Sequence, residues 1–207
     1  MKALVYGSSE YNSLKAEALK MYGVVPTSKF DVKSAIRNRI NYLKSKLRET
    51  NMKGYVLGVS GGVDSTAVSR LAQIAVEELR SEGYFAQFIA ERIPSGIQLD
   101  EADAQAALKF INPDKIMTVN IGEAAKNLGF QGLEEVNKLE GDTLPPYQKD
   151  FALGNVKARL RMVSQYHIAA LYSALVLGSD HSSEAVSGFY TKFGDGACDA
   201  LVLNGLN

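Results

Sequence analysis

"VLGVSGGVDSTAVSRLA", residues 56–72, passes from an apolar run through a turn of small residues into a segment with helical spacing. An apolar strand feeding a helix through such a turn is the unit from which parallel sheets are built. Gly61 and Gly62 carry no Cβ, so the backbone can approach a ligand closely. The successive N–H groups of residues 60–65 then form an anion nest at a helix N-terminus, and Ser60 and Ser65 add hydroxyl donors. The turn lacks the Gly-Lys-Ser/Thr ending of a kinase-type phosphate loop, and no lysine follows until Lys109. Asp64 stands in the loop instead. A carboxylate beside phosphate calls for a divalent cation between them, whereas an aspartate at this place in a helix can also be a plain cap. The loop by itself leaves both readings open.

Outward from the loop the chain alternates. Residues 10–22 and 31–49 read as helices, the second capped by Asp31 with Ile36, Ile40, Leu43 and Leu47 at helical spacing. Strands are predicted at 54–60, 85–93, 115–121 and 174–179, and helices at 65–81, 98–110, 122–128, 154–173 and from 181 to 188. Ala67, Val68, Leu71, Ile74, Ala75 and Leu79 share one face of the 65–81 helix, which Gly83 ends. The Gly- and Pro-containing stretch 129–150 reads as a mobile loop. Buried-type strands alternating with helices predict an α/β fold, a three-layer sandwich around a parallel sheet.

With 207 residues, 46% hydrophobic and 22% charged, the chain can bury one good core and is most simply one domain. Its 23 basic and 23 acidic residues balance, which argues against a nucleic-acid partner. A single cysteine, Cys198, excludes an internal disulfide framework and fits a reducing compartment. No leader-like segment or bilayer-length apolar run is present in the sequence, so a cytoplasmic protein without a membrane partner is expected.

"SGGVDS" (60–65) resembles the signature of the N-type ATP pyrophosphatases, the PP-loop enzymes. That resemblance implies a loop that grips pyrophosphate while ATP adenylates a carboxyl or carbonyl oxygen. GMP, argininosuccinate and asparagine synthetases share the loop, as do tRNA-modifying enzymes. "GNVKARLRMVSQYHIAA" (154–170), "LGSDHSSEAVSGFYTKFGDG" (177–196) and "RIPSGIQLDEADAQAALKFI" (92–111) resemble the ammonia-dependent NAD synthetases, so the likeness covers roughly residues 12–207. It implies an adenine-nucleotide alpha hydrolase-like, Rossmann-like fold and a homodimer. The implied partners are ATP, nicotinic acid adenine dinucleotide (deamido-NAD) and ammonia, with Mg2+ accompanying ATP. It also implies one domain over 1–207, made of N-terminal helices (10–49) and a nucleotide-binding core (54–207), without the family's C-terminal tail.

Carried over by position, the resemblance places ATP at Gly58, Val59, Ser60, Gly61, Gly62, Val63, Asp64, Ser65, Arg92 and Ser179. Mg2+ falls at Asp64 and Glu184, and deamido-NAD at Arg159, Lys192 and Asp199. Ser179 stands where the family commonly has threonine. Ser95 stands where it has an aromatic or histidine, and Ala197 where it has glycine. The family continues beyond the equivalent of Asn207 into a Lys-Arg-Gln segment whose lysine contacts ATP, so slow turnover is expected of this polypeptide alone.

Read on their own chemistry, these residues allow blander roles. On the 154–173 helix Arg159 shares a face with Met162, Val163, Tyr166 and Ala170, while Lys157 and Arg161 fall on the polar, solvated side. The further spread of Leu160, Leu171 and Ala174 predicts a face buried against a second subunit. Asp180 is expected as the cap of the following helix, with Glu184 in its first turn. His181 is read as a hydrogen-bonded histidine rather than a ligand, and Cys198, with no histidine partner, as no nucleophile. Lys192 and Asp199 flank a glycine turn and would otherwise be solvated loop residues. A GMP synthetase-like ligase and a weakly active nucleotide-binding homologue remain the alternatives.

Overall fold

The computed structural model describes residues 7–21, 23, 30–96 and 101–206. The elements are α1 (Ser9–Met21), α2 (Val32–Thr50), β1 (Gly54–Gly58), α3 (Val63–Ser81), β2 (Gln87–Arg92), α4 (Glu101–Ile111), β3 (Lys115–Thr118), α5 (Gly122–Glu140), α6 (Pro146–Tyr172), β4 (Leu175–Gly178), α7 (Ser182–Ser187) and β5 (Ala200–Leu201). The strands form one parallel sheet in the order β3-β2-β1-β4-β5.

Alternation along β1 assigns the layers, because successive side chains leave a strand on opposite faces. Tyr55 and Leu57 point into a core with Leu43 and Leu47 of α2, Val68 and Leu79 of α3, and Ile111 of α4. Val56 points the other way, joining Ile89, Val176 and Ala169 of α6 in a smaller cluster. Helices on both faces of a parallel sheet are the predicted three-layer arrangement. The Tyr55 hydroxyl, fully buried, donates to the Leu43 carbonyl at 2.7 Å and ties α2 to the central strand.

Asp31 caps α2 as predicted, its Oδ1 accepting from the Lys33 and Ser34 N–H groups. Ile40, Leu43 and Leu47 are buried, whereas Ile36 is exposed. The segment 129–150 corrects the sequence reading: α5 continues to Glu140 and α6 begins at Pro146, leaving only a short turn. Gly129 does not break α5; it faces Leu153 of α6. A Cβ there would stand 2.8 Å from Leu153 Cδ1. Proline at the start of α6 sacrifices no helical hydrogen bond. Strand β5 is too short to carry a period in sequence, and the reading missed it. The predicted starts of the 98–110 helix and the last residue of the 10–22 helix lie outside the described residues. Among the described residues no helix is long and apolar enough to cross a membrane.

Candidate active site

Strands β2 and β3 are laid down on one side of β1, and β4 on the other. Chain direction therefore switches between β1 and β4, the place where open parallel sheets bind ligands at their carboxyl ends. The two strands pair only at Tyr55↔Leu175 and Val56↔Val176, whereas β1 pairs with β2 along its whole length. Beyond those rungs a cavity of about 290 Å³ opens, lined by Gly58, Val59, Ser60 and Ser65 from the loop side and Leu177 and Ser179 from the β4 side.

The loop is held by its own serines. The Gly62 N–H donates to Ser60 Oγ at 3.2 Å, the hydroxyls of Ser60 and Ser65 are 3.1 Å apart, and Ser65 Oγ donates to the Gly62 carbonyl at 3.2 Å. Gly61 has φ +95, and a Cβ would stand 2.8 Å from the Ala104 nitrogen of α4, so glycine is required there on two counts. Gly62, not Asp64, is the N-cap of α3. Asp64 lies in the first turn, and its carboxylate has no hydrogen-bond partner among the described residues. The plain-cap reading of Asp64 is thereby removed. Val63 is 82% exposed and contributes no wall to this cavity.

Helix α6 closes the cavity floor, and its orientation corrects the sequence reading. Gln165 and Ala169 are its buried residues, and with Arg161 they form an i, i+4, i+8 stripe against the sheet. Gln165 Oε1 accepts from the Gly58 N–H at 2.7 Å, taking the place of a strand partner that β4 no longer supplies. Arg161, read as a solvated residue, instead lines the cavity, its Nε donating to the Ile93 carbonyl at 3.2 Å. Val163 and Ala170, read as part of the apolar face, are exposed. The inward stripe mixes Ala169, packed on Val56, Ile89 and Val176, with Arg161 and Gln165, which bond to backbone, and hydrophobic spacing does not reveal the polar part. Gln165, Arg161 and Asp195 are the cavity residues that sequence reasoning missed; the i, i+4 spacing of Arg161 and Gln165 was the available signal.

Arg92 does not line the cavity. It is 4% exposed and makes two hydrogen bonds to Glu101, at 3.2 and 2.9 Å. Beside it on β2, Glu91 is fully buried under α6, where Ser164 Oγ donates to its Oε1 and its Oε2 has no hydrogen-bond partner among the described residues. Burial pushes the Glu91 carboxyl above its ordinary range, against the Ser164 hydrogen bond and the His167 charge, which pull it down.

On the β4 side His181, not Asp180, occupies the cap of α7, and its N–H donates to Glu184 Oε2 at 3.1 Å. Asp180 instead joins Glu184 and Asp195 in the wall of a neighbouring cavity. Burial raises the Asp180 carboxyl and the negative charges of Glu184 and Asp195 raise it further. Burial also raises the Asp195 carboxyl, although solvent reaches it; Arg161 pulls it down and Glu184 raises it. Asp64 and Glu184 each sit in the first turn of the helix that follows one of the two diverging strands. Among the described residues no three His, Cys, Asp or Glu side chains gather as a cage for a cation.

The residues expected for the second substrate fall apart from the phosphate loop. Arg159 is exposed and its Nε donates to the Lys192 carbonyl at 3.1 Å. Lys192, with its Nζ 5.0 Å from the Phe193 ring centre, lines a separate cavity of about 600 Å³ together with Tyr166, Tyr190 and Cys198. Both oxygens of Asp199 are engaged, one accepting from the Val176 N–H at 2.7 Å and the other from the Tyr166 hydroxyl at 3.3 Å. Cys198 is held up at a pKa of about 11 by burial, so it is a poor nucleophile near neutral pH.

A serine- and glycine-built anion loop at the switch point of a parallel sheet, with acidic residues flanking it, defines a nucleotide-binding α/β enzyme of the PP-loop type. More particularly, the NAD synthase family model matches residues 35–207, and the chain belongs to that family. It is 47% identical over 195 residues to the NH(3)-dependent NAD(+) synthetase of Rhodococcus opacus, covering 94% of this chain and 68% of that protein. It is 45% identical over 200 residues to the enzyme of the same name from Burkholderia lata, covering 97% and 69%. The crystal structure of NAD+ synthetase from Burkholderia pseudomallei superposes with a TM-score of 0.82 at 41% identity, covering 94% of this chain and 69% of that one. The chain thus spans a little over two thirds of the length of these relatives.

Proposed function

We propose that this chain is a C–N ligase that amidates deamido-NAD with ammonia at the expense of ATP, giving NAD, AMP and pyrophosphate. The observation that carries the reading is the loop at residues 60–65, open at the mouth of the β1–β4 cavity, in a chain of the NAD synthase family. In the first half-reaction a carboxylate oxygen of deamido-NAD attacks the α-phosphorus of ATP. The bond from that phosphorus to the bridging oxygen breaks, and pyrophosphate leaves with the electron pair. The loop N–H groups, with the hydroxyls of Ser60 and Ser65 once they turn from their contacts within the loop, supply donors for the departing charge. In the second half-reaction ammonia adds to the acyl carbon, the C–O bond to AMP breaks, and nitrogen sheds a proton. No protein nucleophile takes part; the chain positions the reactants.

Asp64 and Glu184 are the carboxylates we assign to Mg2+. The fit rests on donor chemistry: Asp64 is unpaired, both groups offer hard oxygens, and Mg2+ is ordinarily held by one or two carboxylates with phosphate and water oxygens completing its shell. When bound it would screen the phosphate charge. Lys192 and Arg159 are assigned to deamido-NAD, with Asp199 placing Tyr166 beside them. We further assign the exposed aromatic and aliphatic side chains of α6 and its surroundings, among them Phe151, Val163 and Leu171, to a homodimer contact.

The test is NAD formation from deamido-NAD, ATP, Mg2+ and ammonium, with AMP and pyrophosphate followed in parallel. One NAD, one AMP and one pyrophosphate per turnover are expected. Asp64→Ala should lower Mg-ATP affinity at least about 10-fold without unfolding the protein, since even a lost cap would cost only about 0.5–2 kcal/mol. Amidation of a purine nucleotide in place of deamido-NAD would overturn the reading.

A further inference from the structure

We propose that Arg161 is a side-chain cation that meets the phosphates of ATP in the β1–β4 cavity. This rests on the reading of that cavity as the ATP site. The loop brings no positive charge, and Arg161 is the only cationic side chain lining the cavity among the described residues. Arg92, the basic residue that the sequence offered, is occupied by Glu101.

Three features aim Arg161 at the loop. Its Nε is fixed on the Ile93 carbonyl, so the guanidinium cannot swing to solvent without losing that bond. One of its five N–H donors is thereby used and the terminal nitrogens keep theirs, a fork suited to phosphate oxygens. The next turn of α6 is tied to the loop strand by Gln165 on the Gly58 N–H, and one residue earlier Ser164 is tied to Glu91 of β2. Arg161 is therefore positioned relative to Gly58 by the helix itself. Asp195 lines the same cavity; burial raises its carboxyl and the Arg161 charge opposes that rise. The guanidinium and Asp195 make no ion pair, so the terminal nitrogens are not committed to that carboxylate.

In this role Arg161 balances the charge that builds on the pyrophosphate oxygens as the bond to the α-phosphorus breaks. It supplies from α6 what kinase-type loops supply with a lysine. If Arg161 were only a strut between α6 and Ile93, its truncation would lower thermal stability and leave the chemistry of folded protein intact.

The experiment compares the parent protein with Arg161→Ala, Arg161→Gln and Arg161→Lys, measuring Mg-ATP affinity by calorimetry and pyrophosphate release in a single turnover. Removal of the charge is expected to slow pyrophosphate release by about 10²–10³-fold. Lysine should restore part of the rate, and deamido-NAD affinity should stay within about two-fold. Free guanidinium added to Arg161→Ala should raise its rate. Pyrophosphate release at the parent rate from folded Arg161→Ala or Arg161→Gln overturns the proposal while leaving the functional reading intact. A parent protein that binds no ATP and releases no pyrophosphate overturns both.

Discussion

On one face of the sheet α3 is buried along its inner side from Ser65 to Leu79, while on the other the longer α6 buries only Gln165 and Ala169. The α3 face is closed by large apolar side chains and fastened at its rim by ion pairs. Lys44 joins Glu78 at 2.9 Å and Glu82 at 2.5 Å, and Arg37 joins Glu78 at 2.7 Å. The α6 face is closed by hydrogen bonds to backbone and by a buried carboxylate, and it leaves Phe151, Val163 and Leu171 in solvent. The first face carries the larger apolar core; the second brings Arg161 and Gln165 to the cavity and bears the surface assigned to a partner copy. A domain divided this way tolerates polar groups where ligands must be recognised because the opposite face carries the burial.

The comparison breaks if the two faces respond alike to truncation. Leu79→Ala removes a fully buried side chain and should destabilise by about 2–5 kcal/mol, whereas Val163→Ala should stay within about 0.5 kcal/mol. Denaturant unfolding measures both, and equal losses would refute the division.

A second measurement sharpens it at Glu91. Its carboxyl is held above the ordinary range by burial, so the folded protein keeps a proton that the unfolded chain releases. The associated stability is fully present below the unfolded pKa, about 4.3, and is lost as pH rises through the higher folded value. Glu91→Gln should remove that loss and gain about 1–3 kcal/mol at neutral pH, the scale of an unsatisfied buried group. Thermal melts across pH 4–8 would show the variant curve flattening relative to the parent; parallel curves would show that Glu91 does not titrate with folding.

The smallest effect on folding belongs to Leu171, which is 65% exposed. Leu171→Ser should change unfolding free energy by no more than about 0.5 kcal/mol yet weaken self-association in sedimentation. A parent protein that is monomeric throughout the micromolar range would remove the dimer assignment.

The same division explains what was legible in the sequence. The helical spacing of Ile40, Leu43, Leu47, Val68, Leu71 and Leu79 located α2 and α3, because large apolar side chains face the sheet there. The phosphate loop was legible from its glycines and serines, whose types follow directly from backbone approach and anion binding. On α6 the period was right only in part: Tyr166 packs on the smaller core cluster, whereas Val163 and Ala170 are exposed. Arg161 and Gln165 look like surface residues until the divergence of β1 and β4 gives Gly58 an unpaired N–H to fill. Asp64 was ambiguous for a related reason: whether an aspartate caps a helix depends on where the helix begins, and α3 begins two residues earlier than the spacing suggests, so the cap falls on Gly62. The bond from the Val176 N–H to Asp199 was not legible because its partners are 23 residues apart and meet only where β4 and β5 pair.

That bond from Asp199 bears on how the protein behaves in a crowded solution. Backbone N–H and C=O groups along an uncovered strand recruit foreign strands and seed aggregates. At Val176 both groups are already taken, the N–H by the Asp199 carboxylate and the carbonyl by the Asp199 N–H. The next rungs of β4 are covered by β5, itself only two residues long. A chain arriving at this border finds no run of open ladder on which to template itself. At this border of the sheet, strand exchange between copies finds little backbone to grip.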